Sequence, residues 1–207
     1  MNEENERRSL LIFAKSPEPG QVKTRIAQEV GPDKAAEIYE EMLDRILRES
    51  APENLWERLL FITPESDADY FFRRGLKTKL QKGKDIGERM ANAFLDASNH
   101  GSEKIVLIGS DIPSLNYSDI VEAFEMLARG PAVIGPSEDG GFYLLGVAGK
   151  YVSRASELLR RPIPWSTPAV LAELEKWCRV YQFFLEYLPL KNDIDTYEDW
   201  IRYQNPR

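Results

Sequence analysis

Two hydrophobic periods alternate along the chain. SLLIFAK (9–15) is an apolar run of strand length, and LWERLLFIT (55–63) is a second, with Glu57 and Arg58 near its start. KIVLIGS (104–110) carries the unbroken apolar run 105–108, as expected for a central parallel strand covered on both faces. PAVIGPS (131–137), GGFYLLGV (140–147) and RVYQFFLEYL (179–188) read as further strands, and the alternation in LKTKLQ (76–81) reads as an edge strand. Between them the period changes. After Gly31 and Pro32, which suits a first helical turn, Ala35, Ile38, Tyr39, Met42 and Ile46 recur at helical spacing. DIGERMANAFLDASN (85–99) predicts a helix with Ile86, Met90, Ala93, Phe94 and Ala97 on its buried stripe. Asp85 is its cap, with Glu88 in a capping-box relation. Further helices are expected in DADYFFRRG (67–75), ending at Gly75, over 117–129, and in STPAVLAELEKWC (166–178), with Pro168 just inside. The last lies in NDIDTYEDWIRYQ (192–204), where Thr196 and Asp199 resemble a capping pair. Residues 148–165 read as irregular, a candidate lid or substrate loop.

Strands alternating with helices predict a three-layer α/β/α arrangement. A length of 207 residues suits one such domain, taken as 9–207 behind a polar, frayed tail at 1–8. With 43% apolar and 29% charged residues, the composition is that of an ordinary soluble protein. A net charge of −7 argues against nonspecific binding to nucleic acid or to anionic membrane, while leaving room for a local basic pocket. Cys178 is the single cysteine, so no intramolecular disulfide can form. No apolar run approaches the ~20 residues of a membrane span, and the amino-terminal run reads as no signal peptide, so the expected location is cytoplasmic.

In open α/β sheets ligands bind beyond the carboxyl ends of the strands, and several reactive segments fall there. AKSPEPGQVKTR (14–25) puts Lys15, Lys23 and Arg25 on a loop kept out of a helix by Gly20 and its prolines. Such a loop can offer backbone N–H groups and cations to phosphates, or it is an ordinary solvated loop; the standard GxxxxGK[ST] and GxGxxG patterns are absent. Asp111 in GSDIP (109–113) is either a turn or cap residue or a ligand for a hard cation such as Mg²⁺. In SEDGGFYLLG (137–146), Gly140 and Gly141 either let backbone approach a ligand closely or simply turn a hairpin. Asp193 and Asp195 in NDIDT (192–196) would point the same way in an extended segment, and either can join Asp111 on a metal. The other reading of Asp195 is as a cap of the last helix. Trp165 is a stacking surface for a ring or a packing anchor. His100 and Cys178 read as non-catalytic.

FAKSPEPGQVKTR, DIGERM, GSDIPSL, EDGGFYLLG, IPWST and DIDTYEDW occur in one order over about residues 9–200. That order resembles a bacterial family of uncharacterised candidate glycosyltransferases with the GT-A fold, within the nucleotide-diphospho-sugar transferase superfamily. It is also similar to nucleotidyltransferases of the phospholactate guanylyltransferase kind. The resemblance implies a mixed, mostly parallel sheet between helices. It implies a nucleotide at the first loop and the DIGERM segment, against Ala14, Lys15, Gly20, Lys23, Thr24, Arg25, Gly87 and Arg89. Asp111 would be the metal-binding acid, for Mg²⁺ or Mn²⁺, and Asp195 the second acid. Asp139 or Glu138 would position or deprotonate an acceptor, and Gly140, Gly141, Trp165 and Ser166 would line its site. Two departures stand out. The superfamily's Asp-x-Asp is here a single acid, and the tail's usual proline is Tyr197.

Two reactions follow. In one, an acceptor hydroxyl attacks the sugar of a nucleotide-diphospho-sugar and a nucleoside diphosphate leaves. In the alternative, a phosphorylated small molecule attacks the α-phosphate of a nucleoside triphosphate and pyrophosphate leaves. A non-catalytic nucleotide-binding module is a third reading.

Overall fold

The computed structural model describes residues 6–51 and 54–205. Its element order is β1 (Arg8–Ala14), α1 (Thr24–Val30), α2 (Pro32–Glu49), β2 (Glu57–Ile62), α3 (Ala68–Phe72), β3 (Thr78–Leu80), α4 (Ile86–Asn99), β4 (Lys104–Ile108), α5 (Tyr117–Met126), β5 (Ala132–Pro136), β6 (Phe142–Ala148), α6 (Val152–Leu159), α7 (Val170–Val180), β7 (Leu185–Tyr187) and α8 (Tyr197–Gln204). The strands form one sheet in the order β3-β2-β1-β4-β6-β5-β7. Every neighbouring pair is parallel except those made by β6, which runs against both β4 and β5. The sheet is therefore mixed and mostly parallel.

Alternation along the inner strands divides the core. Leu10, Ile12, Val106 and Ile108 face one layer, with Ile38, Met42 and Ile46 of α2 and Ile120 and Phe124 of α5. Leu11, Phe13, Ile105 and Leu107 face the other, with Met90 and Phe94 of α4, Leu158 of α6 and Leu174 of α7. This is the expected three-layer arrangement, with helices on both faces of the sheet. Among the described residues no helix is long and apolar enough to cross a membrane.

Several expectations change. β4 is central and fully buried, but it is parallel only to β1; its other neighbour is antiparallel β6. Residues 148–165 are irregular only at 160–165, because most of the span is α6, whose Val152, Ala155, Leu158 and Leu159 are buried against the sheet. Helix α1 starts at the end of the expected 14–25 loop and fills the stretch before Gly31, for which no element is expected. The strand expected over 179–188 shrinks to β7, since α7 runs on to Val180. The proposed tail at 1–8 ends sooner: Arg8 already belongs to β1 and Glu6 pairs with buried Lys104 at 2.7 Å, while residues 1–5 of that tail lie outside the described residues. At α4, Asp85 accepts from the Glu88 amide as expected, but Glu88 reaches back to the amide of Lys84 rather than of Asp85. The capping box at α8 forms between Thr196 and Asp199 as the pair suggests.

Candidate functional site

The carboxyl ends of β1 and β4, together with the turn from β5 to β6, open onto one cleft with two lobes. The first, about 650 Å³, is lined by Ala14, Lys15, Lys23, Thr24, Arg25, Tyr39, Arg89, Ser110, Asp111 and Asp195, among others. The second, about 470 Å³, includes Met90, Ser137, Asp139, Gly141, Phe142, Trp165, Thr167 and Asp193. Arg25, Asp111, Ser166 and Asp195 line both, so the two lobes meet at the paired acids.

At that junction Lys23 Nζ lies 3.2 Å from Asp111 Oδ2 and 3.6 Å from Asp195 Oδ1. Arg25 Nη1 donates to Asp195 Oδ2 at 2.6 Å. The Lys23 side chain is only 7% exposed, whereas that of Asp111 is 48% exposed. Lys23 thus rises from beneath and the acids face the cleft. Its positive charge holds the Asp111 carboxyl below the usual carboxylate range against the opposing effect of burial. Asp195 is brought here because the 192–196 segment docks on the GSDIP loop, where the Ile194 amide donates to the Asp111 carbonyl.

The loop after β1 is fastened from below. The Lys15 amide donates to Tyr39 Oη at 3.0 Å and the Ser16 amide to Asp67 Oδ2 at 2.6 Å. Tyr39 Oη also shares a hydrogen bond with Ser110 Oγ, which ties the first loop to the β4 end. Burial pushes the Tyr39 phenol up to about 12, so it remains a neutral hydroxyl. The amides of Lys15, Ser16, Glu18 and Gln21 are engaged within the protein. The first half of the loop therefore has few N–H groups left for a ligand, and the stretch of its second half that lines the cleft is 21–25. That stretch brings the side-chain charges of Lys23 and Arg25 to the cleft.

In the second lobe Asp139 Oδ1 accepts from the Gly141 amide at 2.8 Å and from Ser137 Oγ. This fixes its carboxylate across the tip of a β5–β6 hairpin. Asp193 faces the same lobe; burial first, then the charges of Asp139 and Asp195, push its carboxyl up to about 6.

Four residues grouped with the site do not line the cleft. Glu138 is exposed beside it. Gly20 shapes the loop through a φ of 79° but stands outside. Gly87 is buried under Trp165: a Cβ there would lie 2.5 Å from the indole ring and 2.4 Å from the Leu159 carbonyl. Gly140 packs on Pro168 instead of on the cleft. Trp165 is a packing anchor, against Gly87 and, edge to face, against Phe142, and it also forms part of the second lobe's wall. Tyr39, Ser110, Gln81 and Thr63 also line the first lobe and were not singled out; Tyr39 looked like one more residue of a helical core stripe. Among the described residues no group of three or more His, Cys, Asp or Glu side chains is arranged to hold a metal by itself.

His100 caps the end of α4, its Nδ1 on the Asp96 carbonyl, and lies outside the cleft. Cys178 is buried in the α7 face, and burial pushes its thiol up to about 11. Since the thiolate is the reactive form, a thiol reagent near neutral pH should modify Cys178 only on unfolding. Rapid stoichiometric labelling of the native protein would contradict that placement.

The comparisons bear on the family and the fold. A 2-phospho-L-lactate guanylyltransferase of Methanocaldococcus infernus is 31% identical over 125 residues, which is 60% of this chain; the chain spans about half (53%) of that relative's length. A crystal structure from Desulfovibrio desulfuricans, provisionally described as a nucleotide-diphospho-sugar transferase, superposes with a TM-score of 0.84 at 32% identity, covering 91% of this chain and 82% of that one. A Leptospira borgpetersenii cytidylyltransferase shares the fold at 18% identity, with a TM-score of 0.60 over 94% of this chain and 83% of its own. The architecture is thus the nucleotide-diphospho-sugar transferase fold. A family model described as "uncharacterized protein conserved in bacteria (DUF2064)" matches residues 46–167, more than half of the sequence, and the chain belongs to that family.

Proposed function

We propose that the protein is a metal-assisted glycosyltransferase that takes a sugar from a nucleotide-diphospho-sugar to an acceptor hydroxyl. The observation that carries this reading is the junction itself. Lys23, Arg25, Asp111 and Asp195 stand together between a lobe bearing Lys15 and Arg89 and a lobe walled by Trp165, Phe142, hydroxyls and carboxylates. The nucleotide's diphosphate would lie among the cations of the first lobe and the sugar would extend into the second.

The donor set suits a hard divalent ion. Two carboxylates face the cleft around a point that already attracts a cation, and Mg²⁺ or Mn²⁺ takes one or two protein carboxylates and completes its shell with water and substrate phosphate. Asp111 and Asp195 would hold it, and when bound it would neutralise charge on the leaving diphosphate. Lys23 and Arg25 supply the remaining positive charge on that side. The acceptor hydroxyl would be oriented by Asp139, already fixed by Ser137 and Gly141, with Asp139 and Asp193 the carboxylates on hand for its proton.

Nucleotidyl transfer is the second reading, favoured by the guanylyltransferase relative. There a nucleoside triphosphate would use the same cations and pyrophosphate would leave. One experiment separates the two. The protein is incubated with Mn²⁺ and each of the UDP-, GDP-, CDP- and ADP-sugars, and separately with each nucleoside triphosphate and phosphorylated small acids. Release of nucleoside diphosphate in the first set is the expected result. Pyrophosphate release confined to the second would replace glycosyl with nucleotidyl transfer. Melting-point increases with the same ligands would identify the base, since a ligand bound to the native state stabilises by mass action.

A further inference from the structure

One cation already stands between Asp111 and Asp195. Lys23 is the residue just before α1, and its backbone lies at φ 43°, ψ 51°, a left-handed conformation that non-glycine residues seldom adopt. Such a conformation persists only where the surroundings fix it, and here it lifts the ammonium to both acids. The lysine side chain is all but buried, while the two carboxylates it meets open onto the cleft. Arg25 occupies the far oxygen of Asp195. Oxygens of both carboxylates that a divalent ion would use are therefore engaged by positive charge.

We propose that Lys23 is a resident counter-ion that keeps the two acids together while the cleft is empty, and that it makes divalent-metal binding depend on the nucleotide. The inference rests on the reading of Asp111 and Asp195 as metal ligands. A divalent ion on those oxygens would sit beside the Lys23 ammonium, and the repulsion opposes binding. Entering phosphates change the balance. They give Lys23 another partner, draw it off the carboxylates, and bring negative oxygens that complete the metal's shell. Metal then enters with or after the nucleotide, not before it. Without Lys23, Asp111, Asp139, Asp193 and Asp195 would line one lobe with Arg25 paired to Asp195.

The test measures free Mn²⁺ by its paramagnetic resonance signal as the ion is titrated into protein, with no turnover involved. Wild type is titrated alone and with UDP, GDP, CDP or ADP, against protein-free nucleotide blanks. Wild type should bind Mn²⁺ weakly alone and about tenfold or more tightly with at least one diphosphate, while Lys23→Met and Lys23→Gln should bind Mn²⁺ alone about tenfold more tightly than wild type. Equal Mn²⁺ affinity of wild type with and without every nucleotide would overturn the proposal without needing either variant to fold. So would a folded Lys23→Met or Lys23→Gln with no gain in affinity. Asp111→Asn added to Lys23→Met separates the two readings. Loss of the gained binding supports both. Unchanged binding would show the ion elsewhere, removing the metal-ligand assignment and this inference with it, while leaving the nucleotide-release assay to stand or fall alone.

Discussion

Replacing Asp111 with asparagine should lower turnover by about 10²–10³-fold, the loss typical when one group that stabilises developing charge is removed from a site. The fold should survive. The Asp111 side chain is about half exposed, and its partner Lys23 keeps Asp195 at 3.6 Å, so no buried charge is abandoned. Asparagine has nearly the same shape and retains one oxygen, but it lacks the negative charge that attracts a divalent ion and balances Lys23. The measurement is product release under saturating nucleotide, paired with a circular-dichroism melt. Collapsed turnover with an intact melt supports a chemical role for the acid. Full turnover with an intact melt would return Asp111 to the status of a loop residue. Adding Asp195→Asn should cost less than it does in the wild-type background, because residues acting as one unit are not additive.

That experiment probes the part of the site most legible in the sequence. Asp111, Lys23 and Arg25 each follow a strand end, where a parallel sheet collects ligands, and the chain's apolar runs mark those ends directly. Spacing alone leaves Asp193 and Asp195 as alternatives, and only the resemblance points to Asp195. In the structure Asp195, not Asp193, meets Lys23 and Arg25, on a segment docked through the Ile194 amide to the Asp111 carbonyl, long-range contacts with no local signature. The supports beneath the first loop were hidden for the same reason. Tyr39 obeys the α2 core period, and nothing in the period says that its hydroxyl reaches Lys15 and Ser110.

The misread elements have local causes. Helix α1 is seven residues long, contributes a single fully buried side chain, Ile26, and starts at Lys23 without a side-chain cap. Helix α6 likewise begins at Tyr151 without a capping side chain, so its apolar spacing lacks the usual start signal; it forms because packing on α4 and the sheet rewards it. The β4–β6 antiparallel pairing could not be read from β4 itself, since a strand buried on both faces looks the same whichever way its neighbour runs.

Gly140 and Gly20 provide the second large effect and its control. Both have positive φ, 85° and 79°. At Gly20 an added Cβ meets nothing within 4 Å, so Gly20→Ala should cost only the left-handed backbone penalty, about 1 kcal/mol. At Gly140 the same atom would lie 2.1 Å from the Pro168 carbonyl oxygen and 2.8 Å from its carbon, backbone atoms that a rotamer change cannot move aside. The Gly140 carbonyl meanwhile accepts from the Leu171 amide, tying the hairpin to the first turn of α7. Gly140→Ala should therefore cost about 2–4 kcal/mol, the backbone penalty plus an overpacking term. The damage should also reach function, because Gly140 stands between Asp139 and Gly141 and Pro168 adjoins Ser166 and Thr167 on the second lobe. Pushing the hairpin from that loop widens the second lobe. Denaturant melts should rank Gly140→Ala well below Gly20→Ala. At temperatures where the variant remains folded, nucleotide binding should be nearly normal while transfer to acceptor falls. Equal melts for the two variants would mean that the hairpin and the α7 loop slide freely past each other, and the second lobe could not then hold an acceptor in a fixed pose.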